Sequence, residues 1–278
     1  MDVKAVLKYG SKGTLGALVL GYFGIIKPLQ FYARLLVYLL AVAFCALSGV
    51  PLSVFFTLIG RQGLSQWAIA RMFYYTCRIV LGIKVVIKNP EALKTRPAVF
   101  VSNHQSELDL IILGATFPKY CSVTAKKSLK YYPILGWFMA LSGSVFIDRK
   151  KREDALKAFS EAAQRMITKQ QSVFMFPEGT RSYYEKPGLL PFKKGAFHFA
   201  VQGQVPVVPY VCSNYSKIVN FKKRIFTPGT IEIEVLEPVD TKNMTKDDVQ
   251  DLYENVQSSM LKTTESLGYG PDFQKKAD

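Results

Sequence analysis

The chain has 278 residues, with 36 Lys and Arg against 21 Asp and Glu, and 49% of its residues are apolar. That apolar content excludes a disordered chain, and four scattered cysteines exclude a disulfide scaffold. Two histidines and no C-x-x-C pair leave no donor set for a conventional zinc site.

Cys45, Cys77, Cys121 and Cys212 are expected to stay reduced in a cytosolic environment. The charge is unevenly placed. Residues 1–224 hold 31 positive and 10 negative charges, whereas 225–278 hold 5 and 11. So positive a field calls for a polyanion, whether nucleic acid, an anionic membrane surface or phosphorylated ligands. Hydropathy favours the membrane. A first apolar run, Thr14 to Ile26, is closed by Lys27-Pro28, and a second covers the 26 uncharged residues between Arg34 and Arg61. The second is long enough for a membrane span. Its apolar core is too long and starts too late for a cleaved signal peptide. Gly49-Val50-Pro51 interrupts it near the middle, where proline removes a helical hydrogen bond. Basic residues flank both sides: Lys4, Lys8, Lys12, Lys27 and Arg34 before, Arg61, Arg71 and Arg78 after. Both flanks satisfy the positive-inside rule if they share the cytosolic side, so a hairpin-like anchor folded at Gly49–Pro51 is expected.

From Leu81 onward short β-type runs alternate with helical ones. Strands are predicted at Lys84–Lys88, Ala98–Ser102, Ser122–Thr124, Ser144–Ile147, Ser172–Phe176, Pro206–Val211 and Ile231–Leu236. Helices are predicted through Leu108–Leu113, over 152–168, through 195–202 and over 245–266. Tyr131–Ile147 is uncharged and reads either as an interfacial segment or as a buried helix followed by a strand. The expected architecture is an α/β domain over 79–278, a mixed sheet flanked by helices, behind an anchor with interfacial helices over 1–78.

The chain lacks a Walker loop, GxGxxG, GxSxG and HExxH, so nucleotide-cofactor and Ser-hydrolase chemistry find no foothold. His104 stands where an apolar strand ends, in Asn103-His104-Gln105-Ser106-Glu107-Leu108-Asp109. A neutral imidazole takes a proton from a hydroxyl near pH 7, and Asp109 can hold its other nitrogen. On a regular helix, residues five apart point about 140° from each other. The pair therefore meets only if His104 precedes the first turn, with Asn103 or Ser102 as the cap. In Phe176-Pro177-Glu178-Gly179-Thr180-Arg181-Ser182 a strand enters a loop with a guanidinium fork, a hydroxyl and a glycine, and Lys193 and Lys194 follow. This reads as a phosphate cradle or as a polar turn with Glu178 and Arg181 in salt bridges. Arg149, after Phe146-Ile147-Asp148, and Lys126-Lys127 add basic groups at strand ends. Val205-Pro206-Val207-Val208-Pro209 suits an acyl channel or an ordinary core strand. His198, between Phe197 and Phe199, reads as structural.

Asn103-His104 with Asp109, Phe146–Arg149, Phe176–Arg181 and Val205–Pro209 stand in the order typical of glycerolipid acyltransferases with the NHxxxxD signature, which the chain resembles. Thr124–Lys130, Leu135–Gly143 and Pro191–His198 are similar to the fungal 1-acyl-sn-glycerol-3-phosphate acyltransferases in particular.

The resemblance implies the glycerolipid acyltransferase fold and transfer of an acyl chain from acyl-CoA to the sn-2 hydroxyl of lysophosphatidic acid. It casts His104 as base and Asp109 as its orienting acid. Glu178, Gly179, Thr180 and Arg181, with Arg149 and Lys193, would seat the glycerol phosphate, and Val205, Pro206, Val207, Val208 and Pro209 the acyl chain. Acyl-CoA is a co-substrate, and neither a metal nor a bound cofactor is expected. The expected partners are lysophosphatidic acid, acyl-CoA and the lipid bilayer, not nucleic acid. Relatives that use another lysophospholipid headgroup, or transfer between phospholipids, keep the same His–Asp pair. A non-catalytic basic membrane protein is the alternative of another class. The final Lys275-Lys276-Ala277-Asp278 resembles a dilysine retrieval signal, so the endoplasmic reticulum membrane with a cytosolic catalytic domain is expected, with the lipid-droplet surface as an alternative. The sequons at Asn214 and Asn243 are then expected to stay bare.

Overall fold

A computed structural model of the chain describes residues 14–147, 161, 163, 164, 166 and 168–273. Residues 14–22 are helical, and the chain turns at Gly24 (φ +80°) into helix α1, Lys27–Leu58. Helix α2 (Ser65–Leu81) leads into strand β1 (Ile83–Lys88), then β2 (Val99–Ser102), α3 (Asp109–Thr116), β3 (Cys121–Lys126), α4 (Leu135–Leu141) and β4 (Val145–Ile147). After the segment 148–160, outside the described residues, come β5 (Ser172–Met175), α5 (Gly195–Gly203), β6 (Val207–Cys212), the ribbon β7 (Val219–Asn220) and β8 (Ile225–Phe226), β9 (Gly229–Val235) and α6 (Val249–Leu267). Of the expected 152–168 helix, residues 161, 163, 164, 166 and 168 are described and helical, with Ala163 and Met166 buried.

Among the described residues seven strands form one sheet in the order β1-β9-β6-β2-β5-β3-β4. All neighbours are parallel except β6 and β9, so β9 and β1 run against the rest. The sheet is therefore mixed, as expected. Central strands β2, β5 and β6 are buried at every residue, the mark of a sheet covered on both faces. The two-residue period of each strand sorts its side chains between two cores. Phe100, Phe174, Val208 and Tyr210 face α1, α2 and α3, whereas Val99, Val101, Val173 and Val207 face α5 and α6. Each such fully buried side chain contributes about 1.5–3 kcal/mol of transfer free energy.

The hairpin expected at Gly49–Pro51 is replaced by one continuous helix. α1 runs 32 residues, about 48 Å, unbroken through Pro51. Packing outweighs the one hydrogen bond that proline removes. Phe31, Arg34, Tyr38, Ala41, Cys45, Gly49 and Ser53 recur every three or four residues and are all buried. Gly49 is required by α4, because a Cβ there would lie 2.6 Å from the Phe138 ring. Arg34 donates to the Leu81 carbonyl at the end of α2, with its guanidinium 5.1 Å from the Tyr22 ring centre and 5.5 Å from that of Phe226. The opposite face carries Leu36, Leu39, Leu40, Phe44, Leu47 and Phe55 into solvent. The expected division after residue 78 falls inside α2, and α1 and α2 share their core with the sheet.

Tyr131–Ile147 resolves into a short helix and a strand, with Tyr131, Tyr132 and Trp137 left exposed.

Candidate active site

Parallel strands point their carboxyl ends at one edge, and the loops that leave that edge collect the chemistry. His104 leaves β2, Lys126 ends β3, the Phe176–Arg181 loop leaves β5 and Ser213–Tyr215 leave β6.

His104 precedes α3 and Asp109 is its first residue, the arrangement that lets them meet. His104 Nδ1 lies 2.6 Å from Asp109 Oδ2. That oxygen also accepts from the backbone N–H of Gln105 (2.7 Å) and Ser106 (3.2 Å), and Oδ1 accepts from the Tyr215 hydroxyl at 2.8 Å. A carboxylate only accepts, so Nδ1 donates to it, and in the neutral ring that leaves the lone pair on Nε2. The helix start adds a positive potential beside a carboxylate that is almost wholly buried. The Phe176 ring stacks on the imidazole, 3.8 Å between centres and 11° from parallel. Tilt and tautomer are both held, while the His104 side chain remains 17% exposed.

The cap expected from Asn103 or Ser102 takes another form. Asn103 donates to the Cys212 carbonyl and accepts from the Cys212 N–H, both at 2.9 Å, and so joins the ends of β2 and β6. The loop before α3 closes instead on Asp109 itself and on Ser106 Oγ, which accepts from Leu108 N–H at 3.2 Å.

The two motifs are laced together. Ser182 N–H donates to the His104 carbonyl (2.9 Å) and Tyr183 N–H to that of Gln105 (3.0 Å). Glu178 is buried beneath them, its Oε1 accepting from the His104 N–H at 2.7 Å and its Oε2 from the Leu190 N–H at 3.0 Å. Burial pushes its carboxyl up to about 7 against those two donors. Glu178 thus faces backbone amides, away from the open side of the loop. Gly179 sits at φ +69°, and a Cβ there would lie 3.0 Å from Lys193 Cδ, Cε and Nζ, so the lysine folds across the glycine. Thr180 and Arg181 are exposed beside it. Arg181 pairs with Glu107 Oε1 at 3.1 Å, the oxygen that also accepts from the Tyr183 hydroxyl at 2.7 Å. The salt bridge foreseen for this arginine therefore exists, with Glu107 and not Glu178.

Thus His104, Asp109, Glu178, Gly179, Thr180, Arg181 and Lys193 share one edge, and Arg149 lies outside the described residues. Val205–Pro209 do not join them. Val205, Val207 and Val208 are interior, Pro206 is half-buried, Pro209 is buried, and the strand reaches the His104 loop only at Cys212. Val207–Pro209 belong to β6, an interior strand of the sheet, and Val205 and Pro206 lead into it, so the valines are spent on the two cores. His198 lies on the exposed face of α5. Asn214 is buried, donating to the carbonyls of Tyr184 (2.9 Å) and Lys186 (3.0 Å), which closes that sequon to modification in the folded protein.

Tyr215 and Phe176 were not singled out in the sequence. Tyr215 carries only the sequon as a local cue. Phe176 borders the Glu178 motif, and its aromatic character at a strand end is the one signal available.

The model of the family described as Acyltransferase matches residues 84–213, from β1 to just beyond β6. A 1-acyl-sn-glycerol-3-phosphate acyltransferase of Saccharomyces cerevisiae is 44% identical over 89% of this chain and 82% of its own length. A human 1-acyl-sn-glycerol-3-phosphate acyltransferase alpha is 37% identical over 89% and 85%. The crystal structure of the 1-acyl-sn-glycerophosphate (LPA) acyltransferase PlsC of Thermotoga maritima shares the fold, with a TM-score of 0.70 and 24% identity over 87% of this chain and 98% of that one.

Proposed function

The chain belongs to the 1-acyl-sn-glycerol-3-phosphate acyltransferase family, and from that premise we propose that it moves an acyl chain from acyl-CoA to the sn-2 hydroxyl of lysophosphatidic acid, with His104 as general base. The observation that carries the reading is the 2.6 Å contact between His104 Nδ1 and Asp109 Oδ2, at an edge shared with Arg181 and Lys193. His104 Nε2 takes the hydroxyl proton while the oxygen attacks the thioester carbonyl. Asp109 stabilises the imidazolium that forms. The tetrahedral adduct then expels the CoA thiolate, which recovers the proton from His104, and phosphatidic acid leaves. Arg181 and Lys193 attract the acceptor phosphate, Gly179 leaves the room across which Lys193 lies, and Thr180 offers a hydroxyl. Glu178 serves by holding the His104 main chain.

The lipid substrates fit a bilayer-associated enzyme. The inner face of α1 is occupied by the domain from Phe31 to Ser53, so lipid can surround only its outer face. That supports a helix half-immersed along one leaflet, with the domain alongside. The location we propose is the endoplasmic reticulum membrane, the catalytic domain facing the cytosol; the terminal Lys275-Lys276 lies outside the described residues.

His104→Ala is expected to lower turnover on lysophosphatidic acid and acyl-CoA by roughly 10² to 10⁴ while membrane attachment persists. Near-normal turnover would end the mechanism. A panel of lyso-acceptors and acyl donors tests the substrates, and equal rates on headgroups without a terminal phosphate would overturn the acceptor assignment.

A further inference from the structure

The segment between β3 and β4 presents a set of side chains that the proposed reaction does not use. Tyr131 is 75% exposed, Tyr132 58% and Trp137 59%, with Lys130 exposed beside them. Leu141 lies one turn beyond Trp137 and is also open to solvent. Aromatic rings this open are at odds with burial in the domain.

The segment is fixed to α1. Phe138 packs against Gly49, where even a methyl group has no room, and Gln62, just beyond α1, donates through Nε2 to the Leu141 carbonyl at 2.6 Å. At the head of α4, Ile134 adopts φ +65° and ψ −61°, a strained γ-turn closed by the Leu135 N–H on the Pro133 carbonyl at 2.7 Å, at a cost of about 1–3 kcal/mol. That turn sets the direction in which α4 leaves, with Phe138 toward α1 and Trp137 outward.

We propose that Lys130–Leu141 is a second membrane-contact element, seated in the headgroup layer of an anionic leaflet beside the apolar outer face of α1. The proposal rests on the reading of α1 as the bilayer-embedded helix. Tyrosine and tryptophan combine an apolar ring with a polar tip and collect at the boundary between headgroup and acyl chain. Lys130 supplies charge complementary to an anionic leaflet, and the chain's basic excess acts in the same direction. Charge and exposure name the occupant: the contact with α1 lies on that helix's inner face at Gly49, and it is the open aromatic rings together with Lys130 that match an anionic leaflet. Two contacts instead of one also restrict rotation of the domain about the α1 axis.

The chain has two tryptophans, and Trp67 is partly buried beneath the Lys119 ammonium, 4.9 Å from its ring centre. Full-length Trp67→Phe protein, reconstituted in phosphatidylcholine–phosphatidylserine vesicles, therefore reports on Trp137 alone. Its emission is expected to be protected from iodide, and quenched more by lipids brominated near the headgroup than by lipids brominated deep in the chain. A companion protein with Trp67→Phe, Trp137→Phe and Phe44→Trp reports on the outer face of α1. Quenching of the α1 reporter with an iodide-accessible, lipid-unquenched Trp137 overturns the second contact alone. If neither is quenched by lipid, the bilayer reading of α1 falls with it. Lys130→Glu is expected to reduce partitioning into anionic vesicles several-fold and to leave partitioning into neutral ones nearly unchanged. An equal loss on both compositions would remove the charge complementarity from the proposal.

Discussion

The Tyr215 hydroxyl donates to Asp109 Oδ1, the carboxylate oxygen that the His104 ring leaves free, across 106 residues of sequence and at 2.8 Å. The same hydroxyl lies 2.9 Å from Ser106 Oγ, so one fully buried phenol fixes both the acid and the loop in front of it. Burial, then the neighbouring Asp109 charge, pushes the phenol well above the ordinary tyrosine range, so it stays a donor. Tyr215→Phe removes the donor and leaves Oδ1 buried beside nothing, a cost of about 1–3 kcal/mol. More of the carboxylate's charge is then left to His104. Turnover is expected to fall about tenfold, with the protein still folded. Unchanged turnover would reduce Tyr215 to packing.

Glu178 gives the protein a pH-dependent stability. Its folded-state value near 7 stands above that of an exposed glutamate, so between the two values the native state binds a proton that the unfolded chain has lost. The stability it contributes is present at mildly acidic pH and is lost as pH rises through 7. A raise of this size corresponds to about 3 kcal/mol. Thermal melts from pH 5 to pH 8 are expected to show stability declining over that window. Glu178→Gln flattens the decline, and also lowers stability at every pH because its amide –NH₂ must face one of the two backbone donors. An unchanged slope in the variant would place the ionisation elsewhere.

Arg181 is both partner to Glu107 and proposed phosphate ligand. Arg181→Ala is expected to raise the KM for lysophosphatidate about 10- to 100-fold, the loss of one charge-assisted contact, with kcat less affected. The Glu107 pair is roughly 40% exposed on each side. Screening holds such pairs to at most about 1 kcal/mol, so Glu107→Gln is expected to change KM less than about fivefold. A larger effect in Glu107→Gln than in Arg181→Ala would reverse the roles.

Gly49 marks where α4 meets α1. Gly49→Val places methyl groups into the Phe138 ring, and overpacking of this kind costs about 1–3 kcal/mol. A lowered melting temperature is expected, restored in part by adding Phe138→Ala. Full stability of Gly49→Val alone would contradict the contact.

The legible parts of the molecule are those with a local cause. Val99–Ser102, Ser172–Met175 and Val207–Cys212 are unbroken or nearly unbroken apolar runs because both faces of their strands are covered, and such runs are visible without coordinates. The His104–Asp109 pairing was legible with its condition, since five residues can converge only ahead of a first turn. The roles of Tyr215 and Glu178 depend on contacts 106 and 74 residues away, which no local pattern encodes. The continuity of α1 through Pro51 was hidden for a related reason: Pro51 is read from its own position, whereas the helix is held by Phe138 and α2. Val205–Pro209 shows the opposite hazard. An apolar, proline-bounded run fits a lipid channel or a sheet interior equally well, and only the strand order separates them.

Tyr38 on α1 donates to the Glu107 carbonyl at 2.7 Å and packs edge-on against Phe73 and Phe226. Clipping off the greasy N-terminus to obtain a water-soluble enzyme would thus uncover those rings and unfasten the loop that carries Glu107. A soluble version is better sought by repainting the outward side of the helix, at Leu39, Leu40, Phe44 and Leu47, with the backbone left whole.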